Sequence, residues 1–208
     1  MDELTQYYSP YTKAYTNLLE KRIVFLAGEI NRELASNLVA TFFSLEDKSP
    51  GEPIKFYINS EGGEVVGGLF PIYDAMQAIT SPVHTICIGE ASSSAAILLA
   101  AGSKGYRTAT ANSRLMIHQI QVGEGSSGGR SSDLEIEARE TKSLNKQMIE
   151  ILARHCGQTY RKVYRDCEND KWFSAQEAKD YGIIDIILEP KKPIPELRTR
   201  KRPTRKGD

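Results

Sequence analysis

No apolar run in this chain approaches the length of a bilayer span, which excludes a helical membrane protein. Its three cysteines, Cys87, Cys156 and Cys167, cannot all pair with one another. A fully paired disulfide framework is therefore excluded, and reduced intracellular thiols are the expectation. No glycine-rich loop ending in Lys-Ser or Lys-Thr is present to cradle a nucleotide, and no His/Cys/carboxylate cluster is visible to hold a metal, so neither a cofactor nor a metal ion is expected. The first residues, Met1-Asp-Glu-Leu-Thr-Gln6, are acidic and polar, unlike a signal or transit peptide. A cytoplasmic protein is expected, or a stromal one if the chain is organelle-encoded. Net charge is lacking too, with 27 basic against 27 acidic residues, but the balance hides an asymmetry. Pro190 to Asp208 holds eight Lys or Arg and two acids, so this tail carries +6 and the remainder −6. Its low apolar content predicts disorder, and it reads as a solvated extension rather than a nucleic-acid arm.

What is present has an ordinary globular composition. A length of 208 residues, with 40% apolar and 26% charged, suffices for one domain with a substantial core. Arg22 to Ala27 reads as a buried strand, and Asn31 as the cap of a helix reaching about Asp47, with Leu34, Leu38, Phe42 and Leu45 at helical spacing. Pro50-Gly-Glu-Pro53 is a turn. Ile54 to Ile58 forms a second strand ahead of a Gly62-Gly63 turn, and a helix follows from about Gly68 to Ile79 until Thr80-Ser-Pro82 stops it. His84 to Ile88 is a third strand and Ser93 to Ala101 a helix. Strand and helix alternating with short links predict an α/β fold of stacked parallel sheet layers with right-handed crossovers.

The Gly/Ser-rich stretch Val122 to Ser132 reads as a flexible loop feeding a long helix from Asp133 to about His155, with Gly157 as its left-handed stop. Leu134, Ala138, Leu144, Met148, Ile151 and Leu152 give that helix a broken apolar stripe, and Glu137, Arg139, Glu140, Lys142 and Lys146 line its other side. Ser174 with Glu177 predicts a capping box, Gly182 ends the helix it opens, and Ile183 to Leu188 returns as a strand.

The chemistry centres on Gly89-Glu-Ala-Ser-Ser-Ser-Ala-Ala-Ile-Leu-Leu-Ala-Ala-Gly102, where an apolar strand runs into a helix of small residues. A serine on the first turn of a helix stands beside unpaired backbone N–H groups, which can receive the oxyanion formed when it attacks a carbonyl. Serine at such a junction is more often a plain helix cap. About 25 residues on, Arg114-Leu-Met-Ile-His-Gln119 ends an apolar strand in a histidine, and the stretch Arg165 to Ala175 places acids ahead of a helix. Ser, His and Asp at the mouths of successive elements fit a nucleophile, its base and an acid that holds the base in the right tautomer.

From about Tyr15 to Leu188 the chain resembles ClpP, the family of proteolytic subunits of the ATP-dependent Clp machines. The matching blocks are Leu18-Leu-Glu-Lys-Arg-Ile-Val-Phe-Leu26, Phe56-Tyr-Ile-Asn-Ser60 with Gly62-Gly63, Ile72-Tyr-Asp74, Thr85-Ile-Cys-Ile-Gly89, Leu98-Leu-Ala-Ala-Gly102, Asn112-Ser-Arg114, Met116-Ile-His-Gln119 and Ser174-Ala-Gln-Glu-Ala-Lys-Asp-Tyr-Gly-Ile-Ile-Asp185. The resemblance implies ClpP/crotonase-like stacked ββα units with a projecting handle helix. It divides the chain into an N-terminal arm (1–14), a protease domain (15–189, handle about 120–157) and the basic tail (190–208). It implies a serine endopeptidase assembled as two stacked heptameric rings, fed unfolded polypeptide by an AAA+ unfoldase of the Hsp100 class that uses the ATP, with no nucleic acid and no membrane as partner.

Among the three serines the resemblance selects Ser93, four residues after Gly89, with the N–H groups of Ser94 and Gly63 as the oxyanion hole. His118 corresponds to the family base, ahead of His84, expected at the surface, and His155, expected near a helix C-terminus where positive charge is welcome. Asp170 corresponds to the family acid, while Asp166 reads as a helix-surface charge. Substrate would add as a strand along Gly62-Gly63 and the segment after His118, Gln119-Ile120. The sequence departs from the family at Glu61, where a proline is usual, at one extra residue between Gly63 and Ile72, at Ser94-Ala95 in place of Met-Gly, and at Ile120, again in place of proline. The alternative these departures support is a catalytically weak structural subunit of a mixed ring. A third reading, an acyl-CoA hydratase-like enzyme on the same broad fold, gives no reason for the aligned Ser, His and Asp.

Overall fold

The computed structural model describes residues 10–121 and 131–191. A central parallel sheet has the order β1-β2-β3-β4-β7, formed by β1 (Ile23–Ala27), β2 (Ile54–Ser60), β3 (Val83–Ser92), β4 (Thr108–Thr110) and β7 (Ile186–Leu188). Two further strands leave that path: β5 (Arg114–Ile117) pairs in parallel with the end of β3, and β6 (Lys171–Ser174) pairs antiparallel with β5. The helices are α1 (Pro10–Leu19), α2 (Arg32–Lys48), α3 (Phe70–Ala78), α4 (Ser94–Ala100), α5 (Ser131–Cys156), α6 (Tyr160–Asp166) and α7 (Ala175–Tyr181). The expected α/β class of stacked layers is what is found.

The core follows from periodicity. Strand β2 alternates, with Ile54, Phe56, Ile58 and Ser60 buried and Lys55 and Asn59 exposed, so one sheet face is apolar. Helix α2 covers it with Ala35, Leu38, Phe42 and Leu45, and Phe42 meets Phe56 edge to face at 5.2 Å between centroids. Asn31 caps α2 as expected, its side-chain oxygen accepting from the Leu34 N–H at 2.8 Å. The Ser174/Glu177 capping box opens α7, and Gly182 closes it with φ +95°.

Strand β3 is longer than expected, and the reason is long-range. Its first half pairs with β2 and β4; the register then slips, Ile58 opposing Cys87 but Ser60 opposing Ala91. Gly89 takes φ +91° in that bulge, where a Cβ would stand 2.6 Å from the Asn59 amide oxygen, and the same oxygen accepts from the Glu90 N–H. Beyond the bulge β3 changes partner to β5, carrying the sheet into a second layer and delivering Ser92 and Ser93 to its rim.

Several expectations need correction. Arg22 is not a strand residue: it holds φ +58° ahead of β1 and spends its guanidinium on the carbonyls of Leu45, Glu52 and Pro53 and on the Ser81 hydroxyl. Helix α1, Pro10–Leu19, spans the boundary drawn between the arm (1–14) and the protease domain (15–189). Helix α5 begins at Ser131, inside the expected Gly/Ser loop, and most of that loop (122–130) lies outside the described residues, as do 1–9 of the arm and 192–208 of the tail. The far half of α5 packs through Met148, Ile149, Leu152 and Ala153, while Leu134 and Ile136 near its start are exposed. The short elements β4, α6 and β6 carry too few residues to show a period. The ladder partners of β4 and β6 lie far away in sequence.

One tie was invisible in the sequence. Arg107, buried on α4's side of β4, grips Asp185 through both oxygens (2.6 and 2.8 Å) and donates to the Ala100 and His155 carbonyls at the ends of α4 and α5. Burial raises the Asp185 carboxyl, but the Arg107 guanidinium outweighs it and holds the group below the usual carboxylate range. All three cysteines are buried thiols, and burial pushes Cys87 up to about 11 and Cys156 and Cys167 up to about 12.

Candidate active site

Ser93 stands between β3 and α4 in a conformation (φ 56°, ψ −124°) that non-glycine residues rarely adopt. It does not cap α4 with its side chain. The strand above fixes it instead, the Ser93 N–H donating to the Met116 carbonyl of β5 at 2.8 Å. Ser92 is buried and donates to Glu90, and Ser94 is buried and donates to the Gly63 carbonyl at 3.0 Å, so Ser93 is the serine turned to the open side. Strained backbone at a junction between elements is a recurrent mark of functional residues.

His118 follows the end of β5. Its Nε2 lies 2.8 Å from Ser93 Oγ and its Nδ1 3.2 Å from an oxygen of Asp170, in the link between α6 and β6. Three residues separated by 25 and 52 positions thus form one hydrogen-bonded chain. The His118 side chain is 12% exposed and that of Asp170 52%. The other histidines stand elsewhere. His84 stacks on Tyr106 at 4.1 Å, half-buried rather than free at the surface. His155 meets the Tyr73 hydroxyl, and burial together with Arg107 and Arg154 lowers its pKa, the reverse of the cationic role expected of it.

The Gly62-Gly63 turn passes directly beside Ser93. Gly62, at φ +102°, leaves no room for a Cβ, which would stand 2.7 Å from the Ser93 Cβ and from the Ser92 carbonyl. Gly63, at φ +146°, packs against Ile30: the Ile30 N–H donates to the Gly62 carbonyl and the Ile30 carbonyl accepts from the Glu64 N–H. Ile30 therefore uses both of its backbone groups in this bridge, while the Gly63 N–H takes no part in it. Between Gly63 and Ile72 the chain forms a π turn, Val65–Leu69, closed by the Phe70 N–H on the Val65 carbonyl.

A cleft of about 400 Å³ opens over these groups, lined by Gly62, Gly63, Ser93, His118 and Ile120, with Val65 and Met148 as apolar wall and Glu29 and Glu61 as acids. Sequence reasoning missed Glu29 and the part Val65 and Met148 play here, since nothing local marks a residue that faces a cleft built from distant elements. Of the expected substrate-contacting residues, Gly62, Gly63 and Ile120 line the cleft. Gln119 does not line it: its N–H donates to the Cys167 carbonyl at 2.7 Å and its amide to the Glu168 carbonyl at 3.0 Å. The Ile120 N–H donates to the Asn145 side chain of α5, and residues 118–121 form no strand. Asp166, expected to be a surface charge, is an 11%-exposed carboxylate held by Lys162, Lys171 and the Tyr181 hydroxyl. Among the described residues no group of three or more His, Cys, Asp or Glu side chains could hold a metal ion, and no helix is long and apolar enough to cross a membrane.

The family model for Clp protease matches residues 8–191. The chain belongs to the Clp protease family. Two similar relatives, each an ATP-dependent Clp protease proteolytic subunit, come from two strains of Bacteroides fragilis. Both are 47% identical over 174 residues, spanning 84% of this chain and 82% and 77% of theirs. The resemblance drawn from the sequence motifs therefore holds over most of the chain, and with it a peptidase function within that family.

Proposed function

We propose that this chain is a serine endopeptidase subunit in which Ser93 attacks the peptide carbonyl, His118 takes the Ser93 proton and passes it to the leaving amine, and Asp170 orients the imidazole. The single observation that carries the proposal is the 2.8 Å contact between Ser93 Oγ and His118 Nε2 inside the cleft. A serine hydroxyl is a weak nucleophile until a base in hydrogen-bond reach takes its proton as the new C–O bond forms. The carbonyl oxygen then becomes an oxyanion, for which the Gly63 and Ser94 N–H groups are the proposed donors. The Ser94 N–H opens α4, where backbone donors have no partner within the helix, and the Ser94 hydroxyl on the Gly63 carbonyl ties the two donors to one frame. Collapse of the tetrahedral species breaks the C–N bond and leaves an acyl-Ser93 ester, which water, deprotonated by His118, then hydrolyses.

The names of the relatives support a place in an ATP-dependent machine. On this reading the subunit assembles as two stacked heptameric rings in the cytoplasm, or in an organelle stroma. It receives unfolded polypeptide from an AAA+ Hsp100-type unfoldase and leaves ATP hydrolysis to that partner, using no cofactor of its own. The apolar residues at the exposed start of α5, Leu134 and Ile136, favour coverage by another subunit. The hydrogen-bonded Ser93, His118 and Asp170 favour an active subunit over a structural one. Fluorophosphonate labelling of the wild type and of Ser93→Ala tests the chemistry. Labelling and peptide hydrolysis are expected in the first and absent in the second, with ring size by light scattering unchanged; equal labelling of both would remove Ser93 from the mechanism.

A further inference from the structure

Asp170 lies in a short link between α6 and β6, and its own contacts do little to fix it. Its carboxylate is 52% exposed, and among the described residues its side-chain hydrogen bond is the one to His118, long at 3.2 Å. An exposed ion pair of that length contributes little by itself to holding two side chains in one geometry. The two ends of the link, by contrast, are clamped. On the upstream side Gln119, the residue after His118, donates its N–H to the Cys167 carbonyl at 2.7 Å and its amide to the Glu168 carbonyl at 3.0 Å. On the downstream side Lys171, the residue after Asp170, donates to one oxygen of Asp166 at 2.7 Å. The other Asp166 oxygen receives Lys162 at 2.7 Å and the Tyr181 hydroxyl at 3.0 Å. Ile117 and Lys171 oppose each other across β5 and β6, so the neighbours of His118 and of Asp170 are partners in one ladder.

We propose that Asp166 and Gln119 are positioning residues that hold Asp170 on His118, one at each end of the link that carries it. The inference rests on the reading of Ser93, His118 and Asp170 as the catalytic set. Neither residue touches substrate in this arrangement: Gln119 fixes the backbone carbonyls two and three residues before Asp170, and Asp166 holds the side chain of Lys171, the residue after it. The Asp166 carboxylate suits the task because it stays charged: burial raises its pKa, but the bonds from Lys162, Lys171 and Tyr181 outweigh that and bring it down to about 2. Misplacing a catalytic group by an ångström costs on the order of a hundredfold in rate, and a loosened link costs less than that.

The test is a pair of double-mutant cycles on the assembled protein. Asp166→Asn and Gln119→Ala are made singly and in an Asp170→Ala background, and kcat and KM for a fluorogenic peptide are measured with the rate of fluorophosphonate labelling. Each single variant is expected to lower kcat and the labelling rate about tenfold with KM unchanged, and to add no further loss once Asp170 is gone. Unchanged kcat in the single variants overturns the proposal, and so does an equal loss in both backgrounds, which would mean that they act through the fold at large. If Asp170→Ala itself leaves kcat intact, the catalytic reading of Asp170 fails and the clamp falls with it, a result distinct from either of those. Where Asp166→Asn does not assemble, Lys171→Met replaces it, cutting the arm to Asp170 while Lys162 and Tyr181 stay on Asp166.

Discussion

A Cβ built on Gly62 would stand 2.7 Å from the Cβ of Ser93, so the glycine turn and the serine share one space that admits no side chain on the glycine. The left-handed φ of +102° at Gly62 adds a second constraint, since L side chains rarely adopt it. Gly62→Ala should therefore push the turn off Ser93 and shift the neighbouring Gly63 N–H. The expected outcome is a loss of kcat of about a hundredfold or more, on the order of one oxyanion donor, with assembly retained by light scattering. Wild-type kcat in Gly62→Ala would mean that the turn does not serve the reaction.

Ser93 is itself strained. Its φ of 56° with ψ of −124° lies where glycine is at ease and other residues lose roughly 1–3 kcal/mol. Both Ser93→Ala and Ser93→Gly remove the hydroxyl, but only the second relieves the backbone. Ser93→Gly should be more resistant to heat than Ser93→Ala by about 1 kcal/mol, after allowing for the extra freedom glycine gives the unfolded chain. Thermal melts of the two inactive variants side by side check this.

Arg107 and Asp185 form an ion pair with a buried guanidinium. The guanidinium is 3% exposed, and its donors also close the carbonyl ends of α4 and α5. Arg107→Met removes the buried countercharge of Asp185, leaving it the backbone N–H groups of residues 105 and 107, and takes the side-chain donor from two helix-end carbonyls. A loss of roughly 3–5 kcal/mol follows, read as a melting temperature lower by about 10 °C. Arg107→Lys should rescue only part of it, because an ammonium cannot grip both oxygens.

Asp166 makes stability depend on acid. Its folded pKa of about 2 lies below the ordinary value of 3.8, so its contribution is complete above about pH 4 and disappears as pH falls through about 2. Holding a carboxyl that far below its ordinary value corresponds to roughly 1–2 kcal/mol once solvent screening is allowed for. Asp166→Asn should cost about that much at pH 6 and progressively less toward pH 2. Urea unfolding of wild type and variant at pH 6 and pH 3 measures the difference; a gap that stays constant would show that the Asp166 charge is not what the network uses.

The sequence by itself determined what four neighbouring residues can settle. Asn31 on the Leu34 N–H, Ser174 with Glu177 and the left-handed Gly182 are contacts within one turn of backbone, and the stripe Leu38-Phe42-Leu45 is a period, so helix starts, stops and buried faces were legible. The ordered family motifs also marked Ser93, His118 and Asp170, which the fold brings into one hydrogen-bonded chain. Tertiary structure alone decided the rest. Strand β3 outran its apolar run because β5 took over as its partner beyond the Gly89 bulge, and that pairing set the backbone of Ser93. Asp166 read as a surface charge and Gln119 as a substrate contact, and nothing in the chain marked Arg107, because their partners lie up to 78 positions away or on other elements. A hydrogen bond between distant segments leaves no period in the chain, and burial turns an ordinary charge into a structural one only after the surrounding elements have packed.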